Sequence, residues 1–116
     1  MSESVLKTKS YDFAVRMIRL SDFLQKKKKE YILNKQILRS GTAIGALIRE
    51  AEFGQSRADF ANKMNVALKE ANETGYWLSL LNETKFIEDK LYASLKHDCD
   101  ELISMLVATV KTLKNE

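Results

Sequence analysis

A chain of 116 residues that is 45% hydrophobic and 30% charged reads as one globular domain, able to bury about two-thirds of its unfolded surface. It has no proline to break a helix, and its one cysteine excludes an internal disulfide and fits a reducing cytosol. The net charge of +3 sits at the front, where residues 1–30 hold eight lysines and arginines against four acids, a pointer to an acidic partner.

No uncharged run approaches the ~18 apolar residues of a membrane span, and the start MSESVLKTKS lacks the apolar stretch of a signal peptide, so a cytoplasmic protein is expected. Residues 1–9 are polar and are expected to be frayed and flexible. Ser10 can cap a first helix carrying Phe13, Met17, Leu20 and Leu24 at spacings of four, three and four, with Val15, Ile18 and Phe23 widening the apolar face. The run Lys26, Lys27, Lys28 and Lys29 ends it, where cations suit the negative end of the helix dipole. Residues 30–33 form the connection, and Asn34 is predicted to cap the second helix.

Ile37, Ile44, Ile48 and Ala51 then make one stripe, with Gly41 on the same face and Gly45 four residues on. Each glycine costs about 1 kcal/mol relative to alanine in a helix interior, so the expected compensation is close approach of a neighbouring backbone. Phe53-Gly54-Gln55 is a turn, and Ser56-Arg57-Ala58-Asp59 is close to a capping box. A third helix follows with Phe60, Met64, Ala67, Ala71, Thr74, Leu78 and Leu81 in a near-heptad, flanked by Leu68, Trp77 and Leu80. After a turn at residues 82–85, a fourth carries Leu91, Leu95, Leu102, Leu106 and Leu113, with Cys99 and Val110 between. No strand alternation competes. Short connections predict a single antiparallel up-down-up-down four-helix bundle over residues 1–116, roughly 30–40 Å long at 1.5 Å per residue.

Enzyme chemistry finds little footing. His97 is the only histidine, and Cys99, two residues away, points to another face, so a nucleophile and base pair is not expected. The chain has no Glu-x-x-His, so neither a di-iron site nor another metal or cofactor is expected. Glu50, Glu70 and Glu73 could meet Arg16, Arg39 and Arg49 across the bundle. The plainer reading is ion pairs that fix register, and the sharper one is a polar site between helices. The lysine run is a solvated helix end or, if several copies assemble, part of a basic ring for salt-sensitive binding of RNA or DNA. The candidate nucleic-acid residues are Lys26, Lys27, Lys28 and Lys29, with Arg16, Arg19 and Arg57 behind them, and Tyr11, Phe53, Tyr76 and Trp77 as candidate stacking groups. Tyr76, Trp77 and Leu80 spread apolar surface around the third helix and are the candidate oligomer contact.

The run from Gln36 to Ala46 with Ile48 and Glu50, residues 56–60, Lys69-Glu70-Ala71 with Glu73-Thr74, and Tyr76-Trp77-Leu78 resemble the four-helix-bundle family of 23S rRNA intervening-sequence proteins, as does the stretch from Tyr11 to Arg16. That family is related to the accessory variability determinant of diversity-generating retroelements. The resemblance implies a bacterial cytoplasmic bundle assembled as a ring-shaped homopentamer, and a non-enzymatic, nucleic-acid-associated or scaffold role. The alternative is a module that holds a protein such as a reverse transcriptase or other polymerase without touching nucleic acid. The chain departs from the family's pattern at Leu47 and Ala51, where Asn and Gly are usual, and at Gly75, where Glu is common.

Overall fold

The computed structural model describes residues 2–115, with side chains from Val5 onward. Four helices account for almost all of them: α1 (Ser2–Lys27), α2 (Ile32–Glu52), α3 (Arg57–Glu83) and α4 (Asp89–Lys114). No strand occurs among the described residues. Each helix packs on the next and α4 returns to α1, while the diagonal pairs make no close backbone approach. Cross-helix partners run in opposite order along each pair: Lys7 with Glu52 and Ser21 with Asn34, Glu50 with Lys63 and Arg39 with Glu70, Ser79 with Tyr92 and Ala71 with Cys99. The bundle is therefore up-down-up-down. At 46 × 21 × 19 Å it is longer than the expected 30–40 Å, because the turns add their own length to helices of 26 and 27 residues that span about 40 Å.

The core is the set of stripes read from spacing. Phe13, Met17, Leu20 and Leu24 from α1, Ile37, Ile44, Ile48 and Ala51 from α2, Met64, Ala67, Ala71, Leu78 and Leu81 from α3, and Leu95, Cys99, Leu102, Leu106 and Val110 from α4 are all buried. Phe60, Leu91 and Leu113 lie only half-buried at the bundle's ends. Each consecutive pair of helices also shares one buried hydrogen bond. The Ser21 hydroxyl donates to Asn34 Oδ1 between α1 and α2. Thr74 Oγ1 lies 2.9 Å from Ser40 Oγ between α2 and α3. The Cys99 thiol donates to the Ala71 carbonyl at 3.3 Å between α3 and α4. Between α1 and α4 the described residues share none, and that seam is closed by the half-buried pairs Lys9–Glu101 and Arg16–Asp98.

Two expectations need correction. Helix α1 does not start at Ser10. It starts at Ser2, because Leu6 extends the apolar stripe one turn earlier and is buried, while Ser10 is buried inside the helix and donates to the Lys7 carbonyl. Met1 lies outside the described residues. Asn34 does not cap α2. Glu30 does, its carboxylate accepting from the backbone N–H groups of Ile32, Leu33 and Asn34. Asn34 sits one turn further in, where its amide meets Ser21. At the head of α3 the expected cap is in place: Ser56 Oγ accepts from Asp59 N at 3.0 Å, and the Asp59 carboxylate accepts from Gln55 N.

Of the two glycines only Gly45 meets the expected backbone: a Cβ there would stand 3.3 Å from the Ser10 backbone oxygen, whereas one at Gly41 would lie 2.4 Å from Cγ of the Met17 side chain. Gly75 differs, since a Cβ there would meet only Lys96 Cε at 3.7 Å and Cys99 Sγ at 3.8 Å, ordinary contact distances. Gly75→Ala is therefore expected to raise stability by about 0.5–1 kcal/mol through helix propensity. Gly41→Ala is expected to lower it by about 1 kcal/mol, because overpacking against Met17 exceeds the same gain. Thermal unfolding by circular dichroism checks both, the two variants moving Tm by a few degrees in opposite directions.

Candidate nucleic-acid interface

The turn between α1 and α2 carries the densest positive charge. Helix α1 stops at Lys27, and Lys29 takes a left-handed conformation (φ 54°) that lets the Glu30 N–H reach the Leu24 carbonyl at 3.0 Å. The bond spans six residues, one more than in a Schellman ending, and a lysine takes the left-handed position where glycine is usual. The one acid in the turn, Glu30, spends its carboxylate on the first N–H groups of α2. Lys26 pairs with Asp22 one turn back on its own helix. Lys28 Nζ stands 5.8 Å from the centre of the Phe23 ring. Lys27 and Lys29 have no ion-pair partner among the described residues. Four ammonium groups thus face solvent beside one internally engaged carboxylate.

The remaining basic candidates separate. Arg16 does not reach Glu50, Glu70 or Glu73; it donates to Asp98 Oδ2 at 2.7 Å, because α1 borders α4 on that side. Arg19, one turn on, has no ion pair among the described residues and shares with Arg16, Leu20, Phe23, Leu91 and Leu95 a pocket at the α1–α4 seam. Arg57 begins α3 at the opposite end of the molecule from the lysines, so the structure does not bring it to them. Arg49 forms no ion pair among the described residues and lines the open surface by Phe53 and Lys63.

Of the ion-pair candidates, Arg39, Glu70 and Glu73 come together, and Glu50 does not join them. Arg39 on α2 donates to Glu70 at 3.2 Å and to Glu73 on α3, and Trp77 Nε1 donates to Glu73 Oε2 at 2.9 Å. Glu50 accepts from Lys63 at 3.0 Å. The Trp77 hydrogen bond, then the Arg39 guanidinium, hold the Glu73 carboxyl below the ordinary 4.5, and the Glu73 carboxylate raises Arg39 in turn. These groups face water, so they fix the register of α2 on α3 more than they add stability. Trp77 is half-buried, not enclosed; it meets Tyr76 edge-on at 5.1 Å, and Tyr76 is 59% exposed. Leu80 is half-buried beside them.

Cys99 is buried and its thiol is pushed up to about 12 by that burial, so it stays protonated as the donor to Ala71; His97 lies exposed on another face. No group of three or more metal-ligating side chains occurs among the described residues, and no helix is long and apolar enough to cross a membrane.

The model of the family described as 23S rRNA-intervening sequence protein matches residues 3–108. The chain belongs to that family. Its structure is similar to a crystal structure from Bacteroides thetaiotaomicron VPI-5482, a protein with unknown function from the S23 ribosomal protein family, at 54% identity and a TM-score of 0.94. The match covers 96% of this chain and 99% of that one. No curated protein matches. Ala51 is buried in the last turn of α2, which runs on to Glu52, and Gly75 is buried against α4.

The Glu73 site sets a pH dependence. A carboxyl held low in the folded state stabilises above its unfolded value near 4.5, and that contribution is lost as pH falls through the lower folded value. Glu73→Gln keeps an acceptor for Trp77 but carries no charge. Its Tm is expected to lie below the parent's near neutral pH and to converge on it below about pH 4, with emission from the single tryptophan, Trp77, following the same course.

Proposed function

We propose that this protein is a non-enzymatic, self-assembling bundle that associates with RNA or DNA through the α1–α2 turn. The observation that carries the reading is local: Lys26, Lys27, Lys28 and Lys29 are gathered at one helix end while the only acid in the turn is engaged by backbone N–H groups. Such a site neutralises phosphates without reading sequence. The family's name, taken from the 23S rRNA intervening sequence, agrees with it. Relation to the accessory variability determinant and placement in a bacterial cytoplasm belong to the same proposal.

Assembly is supported by two apolar faces. Tyr11 (62% exposed) and Ile18 (56% exposed) lie seven residues apart on the outside of α1, and Tyr76, Trp77 and Leu80 lie on α3. Since α1 and α3 are diagonal to one another, these faces occupy different corners of the bundle. Unlike surfaces that meet head-to-tail form rings when the rotation closes, and the proposed ring is a homopentamer. In a ring every subunit brings its lysine turn, so phosphate contacts multiply where one copy's +3 charge is modest.

Two measurements test the reading. Changing Lys26, Lys27, Lys28 and Lys29 to Gln is expected to weaken oligonucleotide binding by roughly tenfold or more and to flatten its salt dependence by up to about four counterions' worth. An unchanged affinity and salt slope in a filter-binding titration would remove the lysine turn from the site. Light scattering is expected to find a pentamer that Ile18→Glu or Tyr76→Glu converts to smaller species, and a monomeric parent would remove the ring. The modest net charge keeps a second reading open, a module that grips a polymerase-type protein directly. That partner would survive nuclease treatment in a pull-down, whereas one bridged by nucleic acid would be lost.

A further inference from the structure

The α1–α4 seam differs from the other three. It has no buried hydrogen bond among the described residues, its helices pack least closely, and it opens into a pocket of about 230 Å³ lined by Arg16, Arg19, Leu20, Phe23, Leu91 and Leu95. Leu20 and Leu95 are buried and form an apolar floor, Leu91 is half-buried, and Phe23, 36% exposed, is an aromatic wall. The volume falls below the roughly 300–1,000 Å³ of sites for drug-sized ligands, a size that suits one planar ring system. Asp98 already occupies Arg16, which leaves Arg19 as the cation at the mouth without an ion-pair partner among the described residues. Lys26 and Lys27 follow Phe23 by three and four residues on the same side of α1, so the lysine turn begins one helical turn beyond the pocket.

We propose that this pocket takes one unpaired base of a single-stranded nucleic acid, stacked on Phe23, with neighbouring phosphates on Arg19 and the lysines of the α1–α2 turn. The inference rests on the nucleic-acid reading above and narrows it. An apolar floor and an aromatic wall do nothing for phosphates, whereas bases stack on such walls whatever their identity. A duplex offers no free base, since turning one out costs a few kcal/mol. Charge confines the path as well: the neighbouring α3–α4 turn carries Glu83, Glu88 and Asp89 against Lys85 and Lys90, so phosphates are held to the α1 side. Lys28, poised over the Phe23 ring, keeps a cation beside the stacked base.

The test uses fluorescence anisotropy on the full chain with three probes: a short labelled oligothymidylate, the same backbone with abasic sites in place of bases, and a blunt hairpin duplex. The oligothymidylate is expected to bind more tightly than both others. Phe23→Ala is expected to weaken it by roughly tenfold, the size of one stacked base, while leaving the abasic and duplex affinities unchanged. Arg19→Gln is expected to weaken all three, and circular dichroism confirms that each variant keeps its helices. The abasic comparison needs no variant and stands even if Phe23→Ala unfolds. Equal affinity for oligothymidylate and abasic strand, with lysine changes still weakening both, would overturn the base pocket and leave the lysine turn standing. Failure of all three probes to bind would overturn the nucleic-acid reading and this inference together.

Discussion

The contact on which the rest of this bundle depends is the close approach of α1 to α2 at Gly41 and Gly45. Neither glycine is needed for an unusual backbone angle, because none of the glycines has a positive φ. They are needed for space, with Met17 lying over Gly41 and the Ser10 backbone against Gly45. Helices held this close cannot rotate independently, and the Ser21–Asn34 hydrogen bond further up fixes their register. The rotation of α1 then decides everything on its outer surface. It turns Tyr11 and Ile18 to solvent, puts Arg16 and Phe23 beside α4, and carries the lysines to one end of the molecule.

From α2 onward the fold closes by repeating one device. Each consecutive helix pair combines an apolar stripe with a single buried polar contact, first Ser21 with Asn34, then Ser40 with Thr74, then Cys99 with the Ala71 carbonyl. Apolar stripes alone tolerate sliding by a turn, whereas a buried hydroxyl or amide that loses its partner costs about 1–3 kcal/mol, so these contacts select one register out of several. No buried side-chain nitrogen or oxygen among the described residues lacks a partner. The seam between α1 and α4 closes last and has no such contact, only ion pairs on its surface. A seam set by surface charge is free to part into a pocket without exposing an unsatisfied group.

Periodicity conveyed the stripes well because burial in a two-layer bundle is decided by a residue's own spacing. It placed Phe13, Met17, Ile44, Met64, Leu78 and Leu102 in the core without any knowledge of partners. The Ser56 cap was legible too, since serine and aspartate three apart before an apolar run have few other uses. The misses share one cause. Asn34 reads as a cap only if the helix is judged locally; in the bundle it answers Ser21 on another helix, and the capping falls to Glu30 two residues before the first turn. Arg16 reads as a partner for glutamates of α2 and α3 because the neighbour across α1 cannot be read from the chain, while its partner in the structure, Asp98, lies 82 residues away. The α1–α4 pocket was invisible for the same reason. Phe23 looked like the widening of an apolar face, and only the return of α4 makes it a wall.

The distribution of charge follows from the same topology. The two turns at one end of the bundle come from distant parts of the chain and differ in charge, four lysines and one acid between α1 and α2 against three acids and two lysines between α3 and α4. Had the basic residues been spread evenly, the net +3 would leave no surface positive enough to hold a polyanion. Segregation gives one edge a strong local field, and the acidic turn beside it sharpens the boundary. Glu30 completes the arrangement, because an acid was needed to satisfy the first N–H groups of α2 and its engagement there removes it from competition with phosphate. A helix cap and an anion site thus occupy the same five residues, and the structural need of one supplies the electrostatic condition of the other.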